Sequence, residues 1–398
     1  GMGGIIRPQD RWTTAEWLTV VAMPMHARSS HEGHRTSTPL ELFFDLVFVV
    51  AIARAAAGLH HAILEQHVAQ GVVGFTMVFF AIWWAWMNFT WFASAYDCDD
   101  APYRLATFVQ ITGALVLAAG IPSMLDQMRP NGAVVTGYVI MRLAMVGQWL
   151  RAAAADPDRR TTARRYALAI SVLQVAWVAS LWAPPAIGLV VFVLLVAGEL
   201  AGPVWAEHAG PTIWHPHHIA ERYGLLTLIV LGESVLASTV AIGAAVETGS
   251  GISALLPLVV GGLLTLYSMW WIYFDRPVHD LLTSLNRALV WGYGHYLVFA
   301  AAAAVGAGLA VSVDLAVATS GPARPLSGLA VTIPVALYLT VLWVLHDRPS
   351  YRQTSWVGPA AIAAILLASF TAQPVLLTGC VMAAIVGVKI AARPRTHV

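Results

Sequence analysis

The sequence predicts an all-α integral membrane protein of about twelve transmembrane helices, in two parallel six-helix repeats. Three observations carry this. Of the 398 residues 58% are hydrophobic and only 11% charged, and the mean hydropathy is +0.70, whereas a soluble domain carries about 25% charge. Apolar runs of spanning length recur along the whole chain. Lys and Arg gather on one side once those runs are threaded back and forth.

The runs lie at 40–60, 71–95, 104–121, 133–151, 166–182, 185–202, 223–244, 252–274, 288–311, 326–345, 355–371 and 373–390. A helix needs about 20 apolar residues to cross, so 355–371 is short. The breaks are turn-like: Asp99, Asp100 and Pro102, then Pro122, Asp156–Pro157, Pro184–Pro185, Pro277, Pro322 and Pro374. The chain divides accordingly into an N-terminal segment 1–38, a first repeat 39–202, a linker 203–222, a second repeat 223–391 and a tail 392–398. No basic n-region followed by an apolar h-region and cleavage site opens it.

Twelve crossings place both termini and the even-numbered loops on one side. That side collects eighteen of the 22 Lys and Arg; the other has Arg129 and Arg324, while Arg54 and Arg142 lie inside runs. The bias puts both termini in the cytoplasm of an inner-membrane protein. Internal symmetry gives the repeats. Trp83–Trp84 reappears as Trp270–Trp271, and Asp45 has a counterpart in Glu233, at offsets of 187 and 188. Six helices per half is an even number, so the halves run parallel.

The net charge of +1 leaves no polybasic footprint, which argues against a nucleic-acid partner. Two cysteines, Cys98 and Cys380, are too few for an iron–sulfur or cysteine–zinc centre.

The candidate functional residues are the ionisable ones inside apolar runs, since each costs several kcal/mol there unless paired or facing water. Glu41 and Asp45 are four apart and share a helix face; Glu41 also sits where it caps the first helix. Glu233 lies about ten residues into the seventh run. Asp45, Glu233, Glu41 and the amide Asn88 are therefore the candidates for an ion or proton site. Arg142, mid-run, is the natural cation for Asp45 or Glu233. Arg54, nine residues beyond Asp45, points the other way and meets another neighbour or snorkels. On the cytoplasmic side, IWHPHHIAERYG gathers His215, His217, His218, Glu221 and Arg222, with Asp275 in the following loop. His217 and Glu221 have a ligand-compatible spacing, yet the HExxH order of a zinc protease is missing. Metal, cofactor and catalytic residues stay undefined, and an inter-loop polar network is the plainer expectation.

TPLELFFDLVFV, the His–x–x–x–Glu–Arg…LIVLGES pattern of 217–234 and WWIYFD at 270–275 together resemble the bacterial low temperature requirement A (LtrA) family over essentially the whole chain. The resemblance implies a polytopic inner-membrane protein linked by name to growth in the cold. Its ELFFDLVFV motif falls on Glu41 to Val49, and its ER…LGE motif on Glu221, Arg222, Leu231, Gly232 and Glu233. A fainter likeness joins Phe43–Phe44–Asp45 to two-repeat lysosomal-type potassium channels, without their serine and with Leu231–Gly232–Glu233 in the second half.

Three functions remain open. The first is transport or conduction of a small cation, proton or solute by intramembrane carboxylates. The second is a structural or chaperone-like membrane protein whose buried ion pairs fix helix register. The third is an integral-membrane enzyme acting on a lipid or isoprenoid. The partners to expect are membrane lipids, a small ion or solute, and a second copy of the chain in a homodimer.

Overall fold

A computed structural model describes residues 24–28, 36–247, 252–317, 324–348 and 356–392. Most of the polar N-terminal segment and the C-terminal tail therefore lie outside the described residues. Those described are all-α, in twelve helices. In chain order these are α1 Pro39–Leu64, α2 Val68–Tyr96, α3 Ala101–Gln127, α4 Gly132–Ala155, α5 Arg160–Ala179 and α6 Gly188–Glu207. They continue with α7 Pro216–Glu247, α8 Ile252–Phe274, α9 Leu285–Val317, α10 Arg324–Leu342, α11 Val357–Ala368 and α12 Pro374–Ala391.

Eleven of the twelve are long and apolar enough to cross a membrane. The exception is α11, with 12 residues, roughly 18 Å of helix against a hydrocarbon core of about 30 Å. It falls short of the expected 355–371 because Ser369, Phe370 and Thr371 close into tight turns before Pro374. The Ser369 hydroxyl is also held by Thr332 on α10, 2.6 Å away. The junction between α5 and α6 is resolved by two short 3₁₀ turns, Ser180–Trp182 and Pro185–Ile187, on either side of Pro184.

The chain forms two compact units. One contains Trp91–Gly113 and Val139–Trp214, and packs α5 against α6. The other contains Gly33–Thr90, Ala114–Tyr138 and His215–Val398. In this second unit α9 is the central helix, with α1, α7 and α10 packed on it. Its run Ala300–Ala304, Gly306, Gly308 is almost wholly buried, because small residues let helix backbones approach closely in a bundle. A Cβ at Gly308 would overlap the Ala330 carbonyl of α10. Gly261 does the same for α8 and α12: a Cβ there would lie 2.5 Å from Leu376 Cα.

The two tryptophan pairs stand in different surroundings. Trp83 and Trp84 are buried beside Tyr293 and Tyr296, whereas Trp270 and Trp271 are 45% and 37% exposed.

Candidate functional site: buried ion clusters and a carboxylate cleft

Helix α1 starts with a capping box. The Thr38 hydroxyl accepts the Glu41 N–H at 3.3 Å, and the Glu41 carboxylate accepts the Thr38 N–H at 2.8 Å, so two orphan N–H groups of the first turn are satisfied reciprocally. Pro39 at the first helical position loses nothing by lacking an N–H. Just upstream, the Ser37 N–H donates to Glu221 of α7 at 3.2 Å.

The same box aims Glu41 and Asp45 at α7. His218 Nε2 lies 2.9 Å from Glu41 Oε1, and the Arg222 guanidinium contacts the same oxygen at 3.1 Å. Arg222 grips Asp45 with two bonds, 2.5 Å to Oδ1 and 3.1 Å to Oδ2. The Trp86 indole N–H of α2 adds a third donor to Asp45 Oδ1 at 2.6 Å. Glu41, Asp45, His218, Arg222 and Trp86 all have 0% exposure. Both pairs, Glu41–His218 and Asp45–Arg222, are i,i+4 on their own helices and share one sequence offset of 177. Helices α1 and α7 therefore run in the same direction, joined rung by rung. Arg222 also lies over the rings of Trp86 and Phe89, at 6.0 and 5.8 Å, a desolvated cation–π contact.

The first unit holds a cluster of the same composition. Glu199 of α6, 1% exposed, accepts from Arg142 of α4 at 2.9 Å and from Trp177 of α5 at 3.1 Å, with Gln174 at 3.4 Å. Carboxylate, guanidinium and indole recur in both places. A buried ion pair survives desolvation only when its remaining lone pairs and protons are also met, and the indole N–H does part of that here. This corrects the expected pairing: the cation at Asp45 is Arg222, and Arg142 belongs to Glu199 of α6.

The other candidates separate. Arg54 is exposed on the side of α1. Asn88 is buried and turns its amide back on the Trp84 carbonyl of its own helix at 2.8 Å. His217 stacks on His279 with ring centroids 3.9 Å apart. Asp275 lies 3.9 Å from the Lys389 ammonium of α12. Among the described residues no three His, Cys, Asp or Glu side chains converge in a geometry that would hold a metal ion.

Glu233 is half-buried and lines a cleft of about 430 Å³ walled by α1, α7 and α9. Most of its lining is small and apolar, including Ala53, Ala56, Ala57, Ala237, Ala241, Gly306 and Ala307. At one end stands a second polar pair, His60 of α1 and Asp314 of α9, 2.7 Å apart.

This fold and these clusters define a polytopic α-helical membrane protein with guanidinium–carboxylate pairs buried between its helices. The sequence matches the family described as bacterial low temperature requirement A protein (LtrA) over residues 36–391, and the chain belongs to that family. It is also similar to the uncharacterized protein RA0937 of Rhizobium meliloti (strain 1021), with 26% identity over 273 residues, 64% of each chain. The chain thus spans just under two thirds of the length of that relative. No solved structure matches it.

Proposed function

We propose that this LtrA-family protein is a carrier for a small solute, coupled to protons or a monovalent cation through Glu233. One observation carries the reading: a half-buried carboxylate, deep in a membrane-length helix, opens onto a cleft instead of closing on a guanidinium. Ionisable groups that line cavities at membrane depth mark ion and proton pathways. In this reading Asp45 and Glu199 are fixtures, because each is saturated by an arginine and an indole. That leaves the structural role for the clusters and the working role for the cleft. His60–Asp314 is the polar exit at the cleft's end. The protein sits in the bacterial inner membrane with both termini cytoplasmic, and the offsets of 187 and 188 support a duplicated chain of two parallel six-helix repeats.

The test is flux in proteoliposomes loaded with a pH-sensitive dye, for wild type and Glu233→Gln. Wild type dissipates an imposed proton or cation gradient, faster with a transported solute present. Glu233→Gln keeps its melting temperature in detergent and loses the flux. Equal flux in the two proteins would remove Glu233 from the mechanism.

A further inference from the structure

The walls of the Glu233 cleft restrict what can occupy it. Its volume of about 430 Å³ is within the range of small-molecule sites, roughly 300–1,000 Å³. The lining carries two carboxylates, Glu233 and Asp314, one imidazole, His60, and no Lys or Arg. Asp314 already faces His60. Glu233 has no hydrogen-bond or ion-pair partner among the described residues, so the unmet charge of the cleft is a single carboxylate. Arg54 does not cancel it: it belongs to the exposed stripe of α1 with Phe43, Leu46 and Val50 and lines no part of the cleft.

One carboxylate among methyl groups is a poor seat for a metal ion. Calcium and magnesium take six or more oxygens, and potassium filters use rings of carbonyls. Ser234, the one hydroxyl in the lining, sits against α9, bonded to the Ala302 carbonyl at 3.0 Å. An organic cation whose charge is wrapped in carbon suits the same walls. Its body meets the alanines, one carboxylate answers its charge, and a large ion costs less to take out of water than a compact one. The cleft is bordered by Leu236 and Val240, 56% and 63% exposed on a helix of spanning length, and such an apolar flank faces lipid. We infer that the cleft takes an amphipathic organic cation sideways from the bilayer, its apolar body between α1, α7 and α9 and its charge on Glu233. This rests on the carrier reading and adds a direction of exchange to it. Proton and cation compete for one carboxylate, so they cross in opposite directions.

The experiment is equilibrium dialysis of the full-length protein in detergent against tetraphenylphosphonium. Tetraphenylborate, dialysed separately, is the anion of the same shape; choline and potassium are competing cations without an apolar body. Tetraphenylphosphonium binds saturably, choline and potassium fail to displace it, and tetraphenylborate does not bind. Glu233→Gln weakens the binding about tenfold or more, the loss of one charge-assisted contact, at an unchanged melting temperature. Ala237→Phe keeps the carboxylate, fills the cleft with a ring and also weakens binding. No saturable binding, binding undiminished in both variants, or tetraphenylborate held as tightly would overturn the assignment. The proteoliposome assay separates it from the carrier reading. Proton flux without tetraphenylphosphonium binding overturns the ligand assignment alone, whereas binding without flux upholds the ligand and removes the transport.

Discussion

The Trp86 indole donates to the same Asp45 oxygen that takes the shorter of the two Arg222 bonds, at 2.6 and 2.5 Å. Asp45 Oδ1 thus holds two donors from two different helices, and Oδ2 holds a third. A carboxylate held this way neither rotates nor exchanges partners easily, so the α1–α2–α7 contact has one geometry. Satisfied buried networks rigidify a bundle, while partly satisfied ones are costly.

Removing either charge should therefore be expensive, and unequally so. Asp45→Asn leaves Arg222 with Glu41, 3.1 Å away, whereas Arg222→Met leaves Asp45 with the Trp86 indole alone and takes the guanidinium from Glu41, which keeps His218 and the Thr38 N–H. Both should fall in the range of about 3–5 kcal/mol for a broken buried pair, with Arg222→Met the worse. The combined Asp45→Asn, Arg222→Met protein should lose less than the sum of the two, because the groups share one interaction. Melting temperatures in detergent give the ordering, and a milder Arg222→Met would contradict it.

Trp86→Phe keeps the ring and removes only the donor. One buried acceptor bond is lost, a cost of about 1–3 kcal/mol, while the edge contact with Tyr223, centroids 4.9 Å apart, is preserved. Loss of stability comparable to Arg222→Met would mean that packing, rather than the N–H, is what Trp86 supplies.

Much of this arrangement was legible in the sequence, up to helix phase. Glu41 and Asp45 share a face by spacing alone, and His–x–x–x–Glu–Arg announced polar groups at the start of α7. His217/Glu221 and His218/Arg222 have the same i,i+4 spacing and sit one residue apart, about 100° around the helix. Spacing does not say which set faces α1. The structure selects His218 and Arg222, and sends His217 to His279. Glu199 was visible as a lone acid in an apolar run, and pairing it with Arg142 required only that both be counted as buried charges. In the sequence Lys389 is only one more cation near the end of the chain, because nothing linear connects it to Asp275 and Asp347.

Close backbone contact between α8 and α12 rests on Gly261. Its missing Cβ leaves room for Leu376 Cα and the Val375 carbonyl, both 2.5 Å from where a Cβ would stand. Those neighbours are backbone and cannot swing aside as a side chain would. Gly261→Leu should force the helices apart and cost about 1–3 kcal/mol or more through overpacking. Gly232→Ala on α7, where a Cβ would meet nothing within 4 Å, is the matched control and should leave the melting temperature unchanged. If both variants melt like wild type, the α8–α12 contact is looser than described.

Topology can be tested on three helices alone. Asp158 is exposed in the turn before α5, and Glu247 is exposed at the end of α7. Between them lie α5, α6 and α7, each apolar and long enough to cross. An odd number of crossings puts the two positions on opposite faces, whatever α11 does later in the chain. By the positive-inside bias, the basic loop around Arg159, Arg160, Arg164 and Arg165 should put the Asp158 side in the cytoplasm. Single cysteines at Asp158 and Glu247 should be placed in a chain lacking Cys98 and Cys380, the latter exposed. Burial pushes the Cys98 thiol up, which slows its labelling, but its removal keeps the background clean. In intact cells a membrane-impermeant maleimide should label position 247 and spare position 158 until the membrane is opened. Labelling of both from outside would mean that one of the three helices does not cross, and the alternation that places both termini in the cytoplasm would fall with it.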